Sequence, residues 1–429
     1  MRQHIKLILV LAWSLLFVTE SYSQETEPDV QSYELTIEPD IQKGYIEGTV
    51  LIHFEVLKGA TSVMFNSGDL VVDKVRGSSV ESFITKDSEL VIQLFPQQET
   101  EHEIIIAYHG NPNRGLLFDK DLNQAHTVYF TDHWMVSNNE PGDRATFSIN
   151  LILPKGVESV ASGTLTGIKE RGEKVVYKWN QEYETPSYTY GFVIGTFNKV
   201  TELADDIALH YYSSELDETR LQKVFEETPD ILSFLEEKSG IEYVQNSYSQ
   251  VLIGNNYQEM SGLSVLSASY PGFVFKDSSE IHLTTHELAH QWWGNMITCE
   301  TFGHFWLNEA FAVYMSSAFN EHRFGKEKYD SDISIYKSIY DDLIKRGKDK
   351  PLVFGEWAPS RDNRNVIYYK GAYVLHLLRA ELGDDNFWKG IKLYTQNNYG
   401  KSVVTNDFKL AMEQASNTDL SSFFDEWVY

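Results

Sequence analysis

The chain holds one cysteine, Cys299, in 429 residues. A disulfide within the chain is therefore excluded, and so is a lipid-modified cysteine at a processing site near the N-terminus. Long apolar runs are also missing. The longest, Leu7 to Val18, falls short of the roughly twenty residues that span a bilayer. Basic residues are scarce: 36 Lys and Arg stand against 62 Asp and Glu, for a net charge of -26. Such a surface repels phosphate backbones, which argues against nucleic acid as a partner. It could attract cationic peptide amines, although solubility alone explains an acidic surface. No internal repeat or low-complexity tract is present.

The first residues do carry a pattern. A basic start (Arg2, Lys6), the short apolar stretch, and small residues at Ser21 and Ser23 describe a secretory signal peptide over residues 1–23, which predicts export to a periplasm or the extracellular space. Its removal takes away two positive charges and one negative, so the remainder carries about -27. With 42% hydrophobic residues, that remainder can bury ordinary cores and is long enough for two or more domains.

From about Val30 to Phe197 the apolar residues alternate, as in Leu35/Ile37, Val50/Ile52/Phe54/Val56, Leu90/Ile92/Leu94 and Ile104/Ile106/Tyr108, with glycines between the runs. This period of two predicts an antiparallel β-rich domain over residues 24–200. Beyond it the period lengthens. Leu221, Val224 and Phe225, then Ile231 to Leu235 ending at Gly240, predict two helical stretches broken at Pro229. Tyr336, Ile339, Tyr340, Leu343 and Ile344 predict another helical face, and Thr405 a helix cap. The run Ser249–Gly254 reads as a strand placed to border a substrate groove, where an extended peptide could add by main-chain pairing.

The chemistry is concentrated in His286-Glu287-Leu288-Ala289-His290 and, after eighteen intervening residues, Glu309. On a helix the two histidines lie about 6 Å apart along the axis on one face and can converge on one ion. Glu287 is turned away from the shared position and is placed to act on a zinc-activated water. Glu309, brought up from a second helix, completes a two-His-one-Glu set for one Zn2+ that leaves the fourth position open, the mark of a catalytic site. His282 extends the row, but about 12 Å of helix separates it from His290, so it is expected as a supporting or core histidine. Gly294 is the expected helix stop. Cys299 has no basic neighbour in the sequence and is expected to be a small buried hydrophobe.

The runs HELAHQWWGN at 286–295 and WLNEAFAVYM at 306–315 resemble the zinc aminopeptidase family that includes aminopeptidase N and the leukotriene hydrolases. The segment from Tyr368 through Lys370-Gly371-Ala372 is similar to that family's Tyr-x-Lys-Gly-Ala. Glu140-Pro141, Arg144 to Phe147 and Tyr190 to Gly195 resemble landmarks of its first domain. The resemblance implies an α+β architecture, with the β-rich domain followed by a thermolysin-like, mainly helical zinc catalytic domain over residues 201–429. It implies peptide substrates with a free N-terminus, and Tyr368 as the group that stabilises the tetrahedral intermediate. The family's Gly-x-Met-Glu-Asn segment is replaced by Asn256-Tyr257-Gln258-Glu259-Met260, in which the Glu is kept; the resemblance implies that Glu259 grips the substrate amine, with Asp132 a candidate second contact. Asn308 and Tyr369 are expected to pack. Ser421 to Trp427 looks like the last helix of the catalytic domain, so the expectation is a site without the family's C-terminal helical domain, more open or covered by another chain. Rival readings are a zinc endopeptidase with the same metal site, an exported peptide-binding protein without turnover, and hydrolysis of a non-peptide such as an epoxide.

Overall fold

The computed structural model describes residues 27–96, 99–355 and 360–429; the expected signal peptide lies outside them. The alternating segments form strands whose inward residues, among them Leu35, Ile37, Val50, Ile52, Ile104 and Ile106, are fully buried, as the two-residue period of a pleated strand requires. Seven of these strands make one sheet in the order Thr164–Arg171, Lys174–Pro186, Arg144–Pro154, Asp29–Asp40, Tyr45–Glu55, Glu101–Gly110 and Val71–Arg76. Its pairs are antiparallel except at the centre, where Asp29–Asp40 runs parallel to Arg144–Pro154. Alternation looks the same in both directions, so the sequence does not reveal this pair. A four-stranded and a three-stranded antiparallel sheet complete the β-rich part.

A further five-stranded sheet follows, in the order Asn198–Ala204, Ile207–Ser213, Ser247–Leu252, Leu263–Leu266 and Gln258–Met260. It is apolar on both faces. Leu209, Tyr211, Tyr248, Leu252 and Leu266 enter the helical core, whereas Tyr212, Val251, Ile253, Met260, Leu263 and Val265 join the core of the β-rich part. Sheets covered on both sides read as continuous apolar runs, and here that run misplaced the groove. The strand Ser247–Leu252 is hydrogen-bonded on both sides, leaving no free main chain for a peptide. The edge strand is Gln258–Met260, paired only with Leu263–Leu266 among the described residues.

Helices cover the other face. The two expected helical stretches are the helices Glu218–Val224 and Thr228–Ser239; Pro229 lies in the first turn of the second, and Gly240 ends it in the left-handed region at φ 71°. The helix Trp306–Phe324 is buried on every side from Trp306 to Asn320 and forms the axis of the helical core. In the helix Lys326–Lys345, Tyr336 and Leu343 turn inward, but Ile344 is exposed, because its position falls off the buried stripe. Thr405 sits inside the helix Thr405–Ser416 and not at its cap: Asp407 accepts from the Val404 N–H, and the Thr405 hydroxyl is taken by the Trp306 indole N–H at 2.9 Å. No described helix is long and apolar enough to cross a membrane.

Candidate metal centre and active site

The helix His282–Ala289 ends earlier than Gly294 predicts, yet His290, its capping residue, keeps helical angles (φ -59°, ψ -21°) and stays on the face of His286. The chain then turns tightly. Gly294 adopts φ +144°, and a Cβ there would lie 2.8 Å from His290 Nδ1, so only glycine passes so close to the ring. The Trp293 carbonyl accepts from His290 Nδ1 at 3.0 Å, which fixes the tautomer and leaves Nε2 free as a ligand. Arg144, from the β-rich part, braces this turn by donating to the carbonyls of Asn295 and Met296, each at 3.1 Å.

His286 Nε2, His290 Nε2 and Glu309 Oε2 converge with separations of 3.1, 3.4 and 3.5 Å. Ligands about 2.0–2.1 Å from a tetrahedral zinc stand roughly 3.3 Å apart, so these edges fit such an ion. Glu309 Oε2 is buried without a hydrogen-bond partner, and two imidazole nitrogens facing each other need something between them. Among the described residues this is the one cluster of its kind. The residues present therefore fit a zinc ion.

The surrounding charges say the same. Burial raises Glu259 to about 7, and burial also raises Glu287 well above the carboxylate range. Burial lowers His286 to about 4, whereas at His290 the charges of Glu309, Glu259 and Glu287 outweigh burial and hold the ring up at about 10. At Glu309 burial is outweighed by the charge of His290 and by the closeness of both imidazoles, so its carboxyl is lowered. Three buried carboxylates crowd together here, and among the described residues none of them has a lysine or arginine ion-pair partner, so the donor set favours a cation.

Tyr368 lies on a single π-turn, Val366–Lys370, inserted between the helices Arg361–Asn365 and Gly371–Leu382. Such one-turn insertions re-aim side chains within a helix. Its ring stacks on that of His286 at 5.9 Å and 16°, and its phenol is raised by burial and by Glu309, Tyr129 and Glu259. Lys370, buried, anchors the turn to Asp349 Oδ1 and the Lys350 carbonyl, both at 2.7 Å.

Glu259 sits at the middle of the edge strand Gln258–Met260, 5% exposed. Gln291, next to His290, donates to the Met260 carbonyl at 3.0 Å and accepts from the Gly262 N–H at 2.9 Å, so one side chain locks the edge strand to the metal helix. From the β-rich part Tyr129 reaches the same place: its hydroxyl donates to the Tyr257 carbonyl (2.9 Å), and its N–H to Gln258 Oε1 (2.8 Å). Tyr129 holds a left-handed φ of 48° and its phenol feels Glu259, Glu287 and Glu309. Strain of this kind in a bulky residue gathers at functional sites. Asp132 instead lies 3.9 Å from His133.

Sequence reasoning assigned no role to Tyr129 or to Arg364, whose guanidinium lies 4.9 Å over the Tyr368 ring, and quoted Gln291 and Lys370 only as parts of motifs. His282 is neither supporting nor core: its side chain is half exposed at the start of the helix and pairs with Glu280 at 3.5 Å. Cys299 is buried, with its thiol raised by that burial. Tyr369 packs on Tyr336. Asn308 accepts from the Cys299 N–H at 3.1 Å and donates to the Tyr188 hydroxyl at 2.9 Å, tying the neighbour of Glu309 to the β-rich part.

Two family profiles match the chain: the Peptidase M1 N-terminal domain over residues 29–189 and the Peptidase family M1 domain over residues 224–427. Similar proteins include a probable aminopeptidase 2 of Sulfurisphaera tokodaii, 21% identical over 93% of this chain and 53% of its own. Aminopeptidase N of Escherichia coli is 27% identical over 62% of this chain and 32% of its own. The chain spans about half the length of the first curated relatives that it matches. A solved M1 zinc metallopeptidase of Deinococcus radiodurans, bound to a Tyr-Ser-Ala substrate, superposes with a TM-score of 0.79 at 20% identity, over 94% of each chain.

Proposed function

The chain belongs to the M1 peptidase family, and from that premise we propose that it is a zinc-dependent aminopeptidase, removing N-terminal residues from peptides with one Zn2+ per chain. One observation carries the step from peptidase to aminopeptidase. Glu259 is a buried carboxylate with no ion-pair partner among the described residues, on a free sheet edge beside the metal ligands. A buried carboxylate without a cation is costly, and the ammonium of a free peptide N-terminus supplies one while the edge main chain pairs with the peptide backbone.

His286, His290 and Glu309 would hold the zinc, which when bound supplies Lewis-acid polarisation and an acidic water. Glu287, its carboxyl raised by burial and with one oxygen unpartnered, takes the proton from the attacking water and delivers it to the leaving amine. Tyr368 donates its phenolic proton in a hydrogen bond to the developing oxyanion. Glu259 fixes the amine, so an acylated or internal residue, lacking the charge, is disfavoured. Export, to a periplasm or beyond the cell, rests on residues 1–23.

The test uses one short peptide, free and acetylated at its amine, with wild-type, Glu287→Gln and Glu259→Ala proteins, with and without a chelator. Hydrolysis of the free form alone is expected, abolished by chelator and by Glu287→Gln and strongly weakened by Glu259→Ala. Equal cleavage of both forms would make the protein an endopeptidase.

A further inference from the structure

Tyr188 belongs to the β-rich part, on the short turn Ser187–Thr189, yet its hydroxyl reaches in among Gly294, Thr298 and Asn308, all buried. It donates to the Gly294 carbonyl at 2.8 Å, and it accepts from Asn308 Nδ2 and from the Thr298 hydroxyl, each at 2.9 Å. A phenol has one proton and two lone pairs, so this one is fully used. Two of its partners adjoin metal ligands. The Gly294 carbonyl follows directly on that of Trp293, which fixes the His290 ring, and Asn308 precedes Glu309 on the helix Trp306–Phe324. The third, Thr298, lies on the strand Ile297–Cys299, whose last N–H is itself bonded to Asn308 Oδ1 at 3.1 Å. On the opposite side, the main-chain carbonyl of Tyr188 accepts from Gln258 Nε2 at 3.4 Å, beside Glu259.

We propose that Tyr188 is a positioning residue for the metal centre: its hydroxyl holds the turn that orients His290 in register with the helix that carries Glu309. This rests on the zinc site described above, and not on the choice between an exopeptidase and an endopeptidase. The ligand atoms of His290 and Glu309 lie 3.5 Å apart, and distances at a metal site hold to within about 0.2 Å, so a small slip between the two segments is felt. Without the hydroxyl, the Gly294 carbonyl and the Asn308 amide each lose a partner in a buried place, and a buried polar group left unpaired shifts toward another. Asn308 cannot shift freely, because its other end holds the Cys299 N–H; the strain passes to its neighbour Glu309. The β-rich part thus takes part in holding the metal ligands, through one oxygen atom.

Tyr188→Phe removes the oxygen and keeps the ring. Tyr190→Phe is the control, since that hydroxyl, two residues on, meets the Ala145 and Thr185 carbonyls at 2.7 and 2.8 Å within the β-rich part. Zinc affinity by chelator competition, urea unfolding of the metal-free proteins, and kcat and KM of the zinc-saturated proteins on Ala-Ala-Ala would be measured for wild type, both variants, Asn308→Ala and the double variant Tyr188→Phe/Asn308→Ala. Zinc affinity is expected to fall on the order of tenfold in Tyr188→Phe, with kcat reduced and KM within about twofold of wild type. In Tyr190→Phe it should stay within about twofold, even where the two unfolding midpoints drop alike. The double variant should lose less than the product of the two single losses, because both act on one contact. Unchanged zinc affinity in Tyr188→Phe, an equal fall in Tyr190→Phe, or single losses that multiply in full would each overturn the assignment. A wild type that takes up no zinc would refute the metal centre and this role with it. Zinc binding without peptide hydrolysis would sink the aminopeptidase reading alone, because the affinities still decide the role of Tyr188.

Discussion

Gly371 separates the two things that the proposed reaction needs, a metal and an oxyanion donor, and a single methyl group tests the separation. The residue begins the helix after the π-turn of Tyr368, and a Cβ there would lie 2.5 Å from the Cβ of Ala310, the neighbour of Glu309. Carbon atoms in contact prefer about 3.5–4.0 Å, so in Gly371→Ala the two helices must part by about 1 Å. The helix Trp306–Phe324 is enclosed from Trp306 to Asn320, while Tyr368 and Tyr369 are only partly buried; the Tyr368 side therefore gives way. Overpacking costs about 1–3 kcal/mol, and replacing glycine within a helix returns up to about 1 kcal/mol. The net loss of stability is at most about 3 kcal/mol.

The effect on hydrolysis should be much larger. A displacement of about 1 Å at a reacting group is worth on the order of a hundredfold in rate, and Tyr368 would move while both histidines stay in place. Peptide hydrolysis, zinc affinity by chelator competition, and urea unfolding would be measured on the same preparation. The expected result is a roughly hundredfold fall in kcat with zinc affinity within a few-fold of wild type. Zinc affinity falling as far as activity, or kcat within threefold of wild type, would refute the view that this glycine sets the distance between the ligand helix and the oxyanion donor.

Two further outcomes follow from single residues. In Gly294→Ala the new methyl group meets His290 Nδ1 at 2.8 Å in a backbone at φ +144°, so zinc affinity should fall about 10–100-fold; affinity equal to wild type by chelator competition would show that the ring does not need this cleared space. His126 is buried and its pKa is lowered by that burial to about 4, below the 6.5 of an exposed histidine. The folded state therefore resists the proton that the unfolded state accepts: the stability is fully present above pH 6.5 and is lost as pH falls toward 4, by about 3 kcal/mol. His126→Gln should flatten that part of the curve when urea unfolding is followed from pH 7 to 4, and an unchanged slope would refute it.

The convergence of His286 and His290 was legible because a helix places residues four apart on one face, a rule that needs no knowledge of the rest of the chain. The β-rich half was legible from alternation, and the residues named from it are those at the bottom of the core. Glu259 could be singled out only by resemblance, since nothing in its neighbourhood distinguishes it from the other acidic residues. What escaped was set by contacts between distant segments. The parallel pairing of Asp29–Asp40 with Arg144–Pro154, the grip of Gln291 on the edge strand, and the reach of Tyr129 across to Tyr257 each join residues from about thirty to more than a hundred positions apart. The π-turn under Tyr368 escaped for a different reason: one extra residue per turn leaves the apolar period almost unchanged.

These long-range contacts explain why so much negative charge can be buried in one place. Glu259 comes from a sheet edge, and Glu287 and Glu309 from two helices, and each is held by its own backbone element. Their mutual repulsion is thus opposed by the packing of two cores that meet at the five-stranded sheet. Burial and the neighbouring carboxylates raise Glu259 and Glu287, and the same carboxylates hold His290 up. A dication on the ligand set and an ammonium at Glu259 together bring three positive charges to three carboxylates. Neither cation alone balances the site. Zinc should therefore strengthen the discrimination for a charged N-terminus only by restoring the geometry of the substrate, because its own charge opposes the ammonium. On the proposed reading, selectivity for free amines comes from the buried Glu259, the one carboxylate of the three assigned neither to the metal nor to the proton.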